Sequence, residues 1–565
     1  MAAMKISNNK KRKLITLTSQ AIDLAKKGKL EMALRICDRA DREHKNFPDI
    51  MYARGLIAAL QQDYVTAITW MGQACQAAPK SQQFQINYAS CLLLNHQEED
   101  AAKLYSKILA HSPRLFESAN GYESYGSALE AIGEFRHAIQ LFEKGLNINP
   151  NNLALLQKLI SLRNNLQESK TVLPMLEGLH AVDPSNADLL FSIGVCLVRE
   201  GNMESAKARF KEALSLNQHH AKALSMLLRN DPDAEWETNL ATMREIYDQA
   251  GSTIESQITA AFALGRAADR NSQYEQAFTC YAKGNRLRRE FVNYDESEQE
   301  NLHQTASGSF PATRFIDPVS TEANAAAPIF IIGMPRCGST LLEQALSRHP
   351  ALKPSGETDA MQQSIAGRKR KVSNPLLIER LASLNNAELL TVGQEYSRRL
   401  QQEYLLDGRV IDKTLNNYLY AGAIAKALPQ ARIIHVRREA MASCLSMFQE
   451  DFADAVPYSL EIGELGRQYA RYQRLMQHWR EVLPEGVMLE VSYEDLVTNP
   501  ESELRRLLEG CNLEWYEECI ATHKATGSVA TASLVQVRKP IHQKSVARWK
   551  HYEKQLEPIK QHLLA

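Results

Sequence analysis

The chain has 565 residues, 66 basic and 66 acidic, and a formal net charge of zero. That balance argues against a dedicated nucleic-acid binder, which carries a basic surplus, and the length implies two or more domains with substantial cores. The nine cysteines (Cys37, Cys75, Cys91, Cys196, Cys280, Cys337, Cys444, Cys511, Cys519) are scattered without a C-x-x-C pair, so neither a zinc site nor a disulfide framework is expected.

The first twenty residues, MAAMKISNNKKRKLITLTSQ, hold basic residues but no apolar stretch of signal-peptide length. Nowhere does the sequence reach the roughly 20 apolar residues of a membrane helix. Reduced thiols and the absence of both signals make a cytoplasmic protein the expectation. The run Lys10 to Lys13 reads as a solvated tail.

Self-similarity follows. Gly55, Ala67, Met71, Ala74 and Pro79 recur in offset as Gly126, Ala138, Phe142, Gly145 and Pro150. Gly194, Ala206, Phe210 and Ala213 form a third copy, and Gly265, Ala277, Tyr281 and Gly284 a fourth. Ala89, Ala101, Tyr105 and Pro113 give another, and Ala21, Ala33, Cys37 and Ala40 begin the series. Residues 153–186 keep only the closing Pro184. Small residues belong where the two helices of a hairpin approach closely, and proline follows a helix that it cannot continue. The pattern resembles the tetratricopeptide repeat, a helix–turn–helix unit of about 34 residues that is stable only when stacked. Residues 1–285 are therefore expected to form an all-α repeat solenoid of six or seven units, whose groove would hold a peptide, a partner protein or the rest of the chain. Residues 286–327 are polar and rich in Ser, Ala and Pro, and read as a linker.

From Pro328 the pattern becomes α/β. Strands are expected at 329–333, 409–413, 431–437 and within 486–496, each followed by a helical stretch. Such alternation gives a parallel sheet with helices on both faces, and ligands bind beyond the carboxyl ends of its strands. The expected architecture of 328–565 is a three-layer, P-loop-like α/β domain.

The stretch PIFIIGMPRCGST (328–340) is a strand, a glycine-bracketed turn and a helix start. Gly333 and Gly338 have the spacing of a nucleotide-binding P-loop, G-x-x-x-x-G-K-[ST], but Ser339 stands in place of the lysine. Backbone amides of such a turn, with the positive end of the following helix, cradle a phosphate. Without the lysine, nucleoside triphosphate hydrolysis loses a contact central to it. The nearest candidate for a Walker-B aspartate, Asp412, is followed directly by Lys413, a poor neighbour for a metal ligand.

The loop PRCGSTLLEQALSRHP is similar to the 5′-phosphosulfate loop of sulfotransferases, which use 3′-phosphoadenosine 5′-phosphosulfate (PAPS). The nearest resemblance is to the protein-tyrosine sulfotransferases and to bacterial proteins with repeats before such a domain. It extends over about 328–550 as an ordered series of motifs. It implies that Pro335, Arg336, Cys337, Gly338, Ser339 and Thr340 cradle the 5′-phosphosulfate. In VRREAMASCLSMF, Arg438 and Ser446, eight residues apart, would grip the 3′-phosphate, with Arg437 able to share or replace the arginine role. Glu357, 21 residues after Arg336, matches the catalytic glutamate that takes the acceptor proton. Lys413 matches the lysine that supports the leaving oxygen, and Arg336 joins the reacting groups. In the C-terminal segment, Ser533 would contact the sulfonate region, while Lys539 and Arg548 keep the spacing of residues around the 3′-phosphate. Tyr493 matches a tyrosine near the nucleotide. The scheme requires no metal.

The animal tyrosine-sulfating enzymes are membrane-anchored and disulfide-bonded, which this sequence does not suggest. The resemblance thus carries the chemistry further than the acceptor or compartment. A protein or peptide tyrosine is the expected acceptor, a glycan, lipid or small phenol the alternatives, and a non-catalytic repeat scaffold with a nucleotide-binding domain the reading from another class. The run Arg368 to Lys371 could attract acidic peptides. Neither the oligomeric state nor a nucleic-acid or membrane partner is indicated.

Overall fold

The computed structural model describes residues 7–118, 121–229, 235–249, 251–316, 327–367, 372–453, 455–521 and 546–563. By internal contacts the chain divides into two compact units, residues 1–162 with 367–371, and 163–366 with 372–565.

The first unit is helical. Asn8–Lys26 packs on Leu30–Glu43, Pro48–Leu60 on Tyr64–Ala77, Gln82–Leu94 on Glu98–His111, and Gly121–Ala131 on Phe135–Ile148. The small residues sit where close approach demands them. A Cβ on Gly55 would lie 2.5 Å from Met71 Cγ, and one on Gly126 would lie 2.3 Å from a Phe142 ring carbon. Ala67 and Ala138 are fully buried between their helices. The division into units falls inside the degenerate stretch, which forms two helices, Leu153–Asn165 and Ser169–Val182.

The second unit continues the pattern and then builds the sheet. Ala187–Glu200 packs on Met203–Leu216, and Ile254–Arg270 on Tyr274–Arg289. A Cβ on Gly194 or Gly265 would again run into the paired aromatic, Phe210 or Tyr281. Much of the segment expected as a linker is helical: Glu296–Ser309 buries Leu302 and His303.

Five parallel strands follow: β1 (Ile329–Ile332), β2 (Leu352–Gly356), β3 (Arg409–Asp412), β4 (Arg432–Arg437) and β5 (Met488–Ser492). Their order is β2-β3-β1-β4-β5, with Ile329 opposite both Ile411 and Arg432. Strand alternation sends Ile329 and Ile331 into a core with Leu342, Leu346, Leu504 and Leu507. Phe330 and Ile332 enter the opposite core with Tyr396, Tyr418 and Trp479. That second core also contains Ile258, Phe262, Ala277 and Tyr281, so the last repeat-like helices share the hydrophobic interior of the sheet. The architecture is a tetratricopeptide-like helical array followed by a parallel-sheet α/β domain.

Candidate active site

The ends of all five strands carry the residues of interest. After β1 the chain turns through Gly333, whose Cβ would lie 2.7 Å from the Val436 carbonyl oxygen, so only glycine lets the loop pass β4. Arg336 adopts φ +68°, a conformation costly for a side-chain-bearing residue and one that collects at functional sites. Gly338, at φ +102°, caps the helix Ser339–Leu346, and a Cβ there would lie 2.4 Å from the Tyr493 ring. Tyr493, following β5, is thus packed against the loop. Ser339 and Thr340 are buried in the first turn of the helix that Gly338 opens. Burial pushes the Cys337 thiol up, which makes it a packing residue rather than a thiolate.

The loop is tied directly to the segment after β4. Arg336 Nε donates to Ser446 Oγ at 3.1 Å. Arg438 Nη1 donates to the Arg336 carbonyl at 2.9 Å, and its guanidinium lies 4.8 Å from the Tyr493 ring centroid. Arg437 instead is half-exposed and turns toward Glu490, 4.0 Å away. Of the two arginines, Arg438 is the one built into the loop. A cavity of about 860 Å³ opens beside it, lined by Arg437, Arg438, Tyr469, Tyr472, Arg474 and Arg480 among others.

A second cluster forms where β2 and β3 end. Lys413 Nζ lies 2.8 Å from Glu357 Oε1 and 3.7 Å from Glu343 Oε2. The lysine side chain is 1% exposed and that of Glu357 56%, so a buried cation supports a carboxylate that solvent and large molecules can reach. Burial alone would lower the Lys413 pKa, but Glu343 and Glu357 together outweigh it and hold it above its ordinary value. Glu343 is pushed up by burial, against the pull of Lys413, and its Oε1 has no hydrogen-bond partner among the described residues. The two strand ends are laced together: Lys413 N–H donates to the Gly356 carbonyl at 3.0 Å, and the Thr414 hydroxyl donates to the Thr358 carbonyl at 2.8 Å. Asp412 is committed to the fold, accepting from Tyr396 Oη at 3.0 Å and Thr414 N at 2.9 Å.

Glu343 lies on the helix that the loop opens, so the two clusters share one frame. Together they place a glycine-bracketed loop, a helix N-terminus, a reachable carboxylate and a buried lysine at one end of the sheet. Residues 328–517 match the Sulfotransferase family.

Residues 18–82, 119–152 and 187–220 match tetratricopeptide-repeat models, so the chain joins such repeats to a sulfotransferase-family domain. An uncharacterized protein of Aquifex aeolicus is 26% identical over 414 residues, 69% of this chain and 53% of that protein. Protein-tyrosine sulfotransferase 1 of Danio rerio is 24% identical over 251 residues, 39% of this chain and 65% of that enzyme. The matches thus span from about half to just under two thirds of these relatives. A solved sulfotransferase domain from the Synechococcus PCC 7002 olefin synthase aligns at 19% identity and a TM-score of 0.29, over 41% of this chain and 91% of that one.

Of the residues singled out in the sequence, the structure gathers Pro335 to Thr340, Arg438, Ser446 and Tyr493 around the loop, and Glu357 with Lys413 at the neighbouring strand ends. Arg548 is ion-paired to Asp269 on helix Ile254–Arg270. Ser533, Lys539 and the run Arg368 to Lys371 lie outside the described residues. Sequence reasoning missed Glu343, whose one signal is a lone acid in the otherwise uncharged helix STLLEQAL. It also missed Gln167, whose side-chain amide reaches the Ser355 and Glu357 carbonyls, each at 3.4 Å.

Proposed function

We propose that the sulfotransferase-family domain transfers a sulfonate group from PAPS to a hydroxyl acceptor, with tyrosine of a protein or peptide as that acceptor and the repeats presenting it. The observation that carries this reading is the junction of the loop with both clusters: Arg336 on Ser446, Arg438 on the loop carbonyl, and Glu357 paired to a buried Lys413.

The residues fit the donor. The first turn of Ser339–Leu346, with Arg336 beside it, suits a 5′-linked anion, and Arg438 with Ser446 suits a second phosphate. Tyr493 offers an aromatic face beside them. Ser533 and Lys539 are proposed to complete the pocket from the C-terminal segment, as is Arg548. Bound there, PAPS supplies the activated sulfonate. Glu357 accepts the proton of the attacking hydroxyl at its carboxylate, whose exposure lets a macromolecule reach it. Lys413, held charged by its two carboxylates, stabilises the negative oxygen that forms beside it.

The repeats, matched at three stretches, supply surfaces of the kind that bind peptides. A cytoplasmic setting fits nine cysteines that are all free thiols, and among the described residues no helix is long and apolar enough to cross a membrane.

Incubation with sulfur-labelled PAPS and fractionated extract tests the reaction: label should appear on protein and release tyrosine sulfate on hydrolysis, whereas label confined to glycan, lipid or phenol fractions reassigns the acceptor. Glu357→Ala should cut transfer by about 10²- to 10⁴-fold while adenosine 3′,5′-bisphosphate still binds. Equal loss of binding and transfer rejects Glu357 as the base.

A further inference from the structure

The helices before the sheet send two arginines toward the segment that follows Ser446, and the reaction scheme above uses neither. Arg229, the last residue of helix Ala221–Arg229, is ion-paired with Glu450. Glu450 lies four residues after Ser446, just past the end of helix Ala440–Phe448. Arg266, on helix Ile254–Arg270, donates to Ser225 Oγ at 2.9 Å and lies in the electrostatic field of both Arg229 and Glu450. Arg336 comes from the loop, bonded to Ser446 and under the influence of the same Glu450.

One guanidinium, that of Arg229, thus pairs with Glu450, and those of Arg266 and Arg336, from two other segments, lie within its electrostatic reach. The adjacent Asp451 is shared: it accepts from Arg288 at 2.9 and 3.2 Å, and Arg288 also bonds Glu255 through two hydrogen bonds, at 2.7 and 3.1 Å. Arg266 is pushed down to about 10, first by burial and then by Arg229, and Glu450, Tyr281 and Asp451 offset this only in part. Glu450, despite burial, is held below its ordinary value by Arg229, Arg336 and Arg266. Beside Arg266, the buried Tyr281 hydroxyl has no hydrogen-bond partner among the described residues. The Arg229 side chain is 26% exposed, and Arg266, Arg336 and Ser446 are part-buried. Cationic groups gathered in a part-buried site, with hydroxyls beside them, suit an anion.

We propose that Arg229 and Arg266, carried by the helices that precede the sheet, are donor-binding residues that complete the pocket for the nucleotide's 3′-phosphate with Arg336, Arg438 and Ser446. The inference rests on the PAPS reading and deepens it: the helical region forms part of the nucleotide site and helps select 3′-phosphorylated nucleotides. Arginine suits the role, since its planar fork meets phosphate oxygens in pairs.

Calorimetric titration of the full chain with adenosine 3′,5′-bisphosphate and with adenosine 5′-monophosphate tests it. Arg229→Gln and Arg266→Gln should each weaken bisphosphate binding by about 10- to 100-fold, the scale of a lost charged hydrogen bond, and change monophosphate binding little. Arg229→Lys and Arg266→Lys keep the charge without the fork, so they should lose a smaller part of the same preference; they serve where a glutamine form does not fold. A preference for the bisphosphate left intact in every variant overturns the assignment, as does an equal loss for both nucleotides. If the unmodified chain shows no such preference, the PAPS reading itself fails.

Discussion

Glu490 shows how single charges are spent outside the reaction. It lies on β5 and accepts from His435 Nδ1 at 2.7 Å and from Arg480 Nε at 3.0 Å. Burial pushes its pKa up, but the hydrogen bonds and charges of His435 and Arg480 win and hold it at about 2, against an ordinary 4.5. A depressed carboxylate stabilises the fold fully above its unfolded pKa and loses that contribution as pH falls toward the folded value. The sensitive window is therefore about pH 4.5 down to about 2, and the contribution is at most about 3 kcal/mol. Glu490→Gln should lower the urea midpoint at pH 7 and remove part of the acid limb, leaving the variant and parent closer at pH 3 than at pH 7. A constant difference across that range refutes the ion-pair account. Residues of this kind were not legible in the sequence, because His435, Arg480 and Glu490 meet only through the sheet. The site residues divide the same way. Arg336, Glu357, Lys413, Arg438 and Ser446 stand in local motifs with fixed spacing. Glu343, Gln167, Arg229, Arg266 and Glu450 owe their relevance to contacts between distant segments, and nothing in their neighbours marks them.

At the scale of elements, the repeat glycines make the sharpest demand. A Cβ on Gly194 would lie 2.4 Å from Phe210 Cε1, and Phe210 is 1% exposed, so its ring has nowhere to retreat. Gly194→Leu places a good helix former there, so propensity favours the change by about 1 kcal/mol and only packing opposes it. Overpacking of a tight core costs typically about 1–3 kcal/mol, and an added isobutyl group belongs at the upper end. The variant should melt at lower temperature, and Phe210→Ala in the same chain should recover part of the loss; additive losses in the double variant would mean that the two positions do not oppose each other. This demand is why the repeats could be read from small residues alone. The strands divide by the same logic. β1, β3, β4 and β5 contain runs of apolar residues, whereas β2 reads LKPSG, with Pro354 and Gly356 inside it. Such a sequence forms a strand only because it lies at the sheet edge, paired to β3 on one side with a break in register. Helix Glu296–Ser309 was equally opaque: it is polar along most of its length, and Leu302, His303 and Ala306 alone are buried.

For the second unit as a whole, the sheet's larger core does not end where the sheet begins. Ile258, Phe262, Ala277 and Tyr281 belong to the same apolar cluster as Phe330, Tyr418 and Trp479. Tyr552, near the C-terminal end, enters it too and bonds Asp269 on helix Ile254–Arg270, which also pairs with Arg548. The family match begins at residue 328, but the physical core begins earlier. Each large side chain exposed by removing those helices forfeits about 1.5–3 kcal/mol of burial, so losing a few exceeds the margin by which a domain is stable. Residues 328–565 expressed alone should therefore aggregate or bind apolar dyes, while residues 163–565 should unfold cooperatively. Solubility and a single sharp transition in the shorter chain would refute this. The comparison also bears on nucleotide binding, because the shorter chain lacks both Arg229 and Arg266, whereas the longer one should retain the parent's affinity for adenosine 3′,5′-bisphosphate.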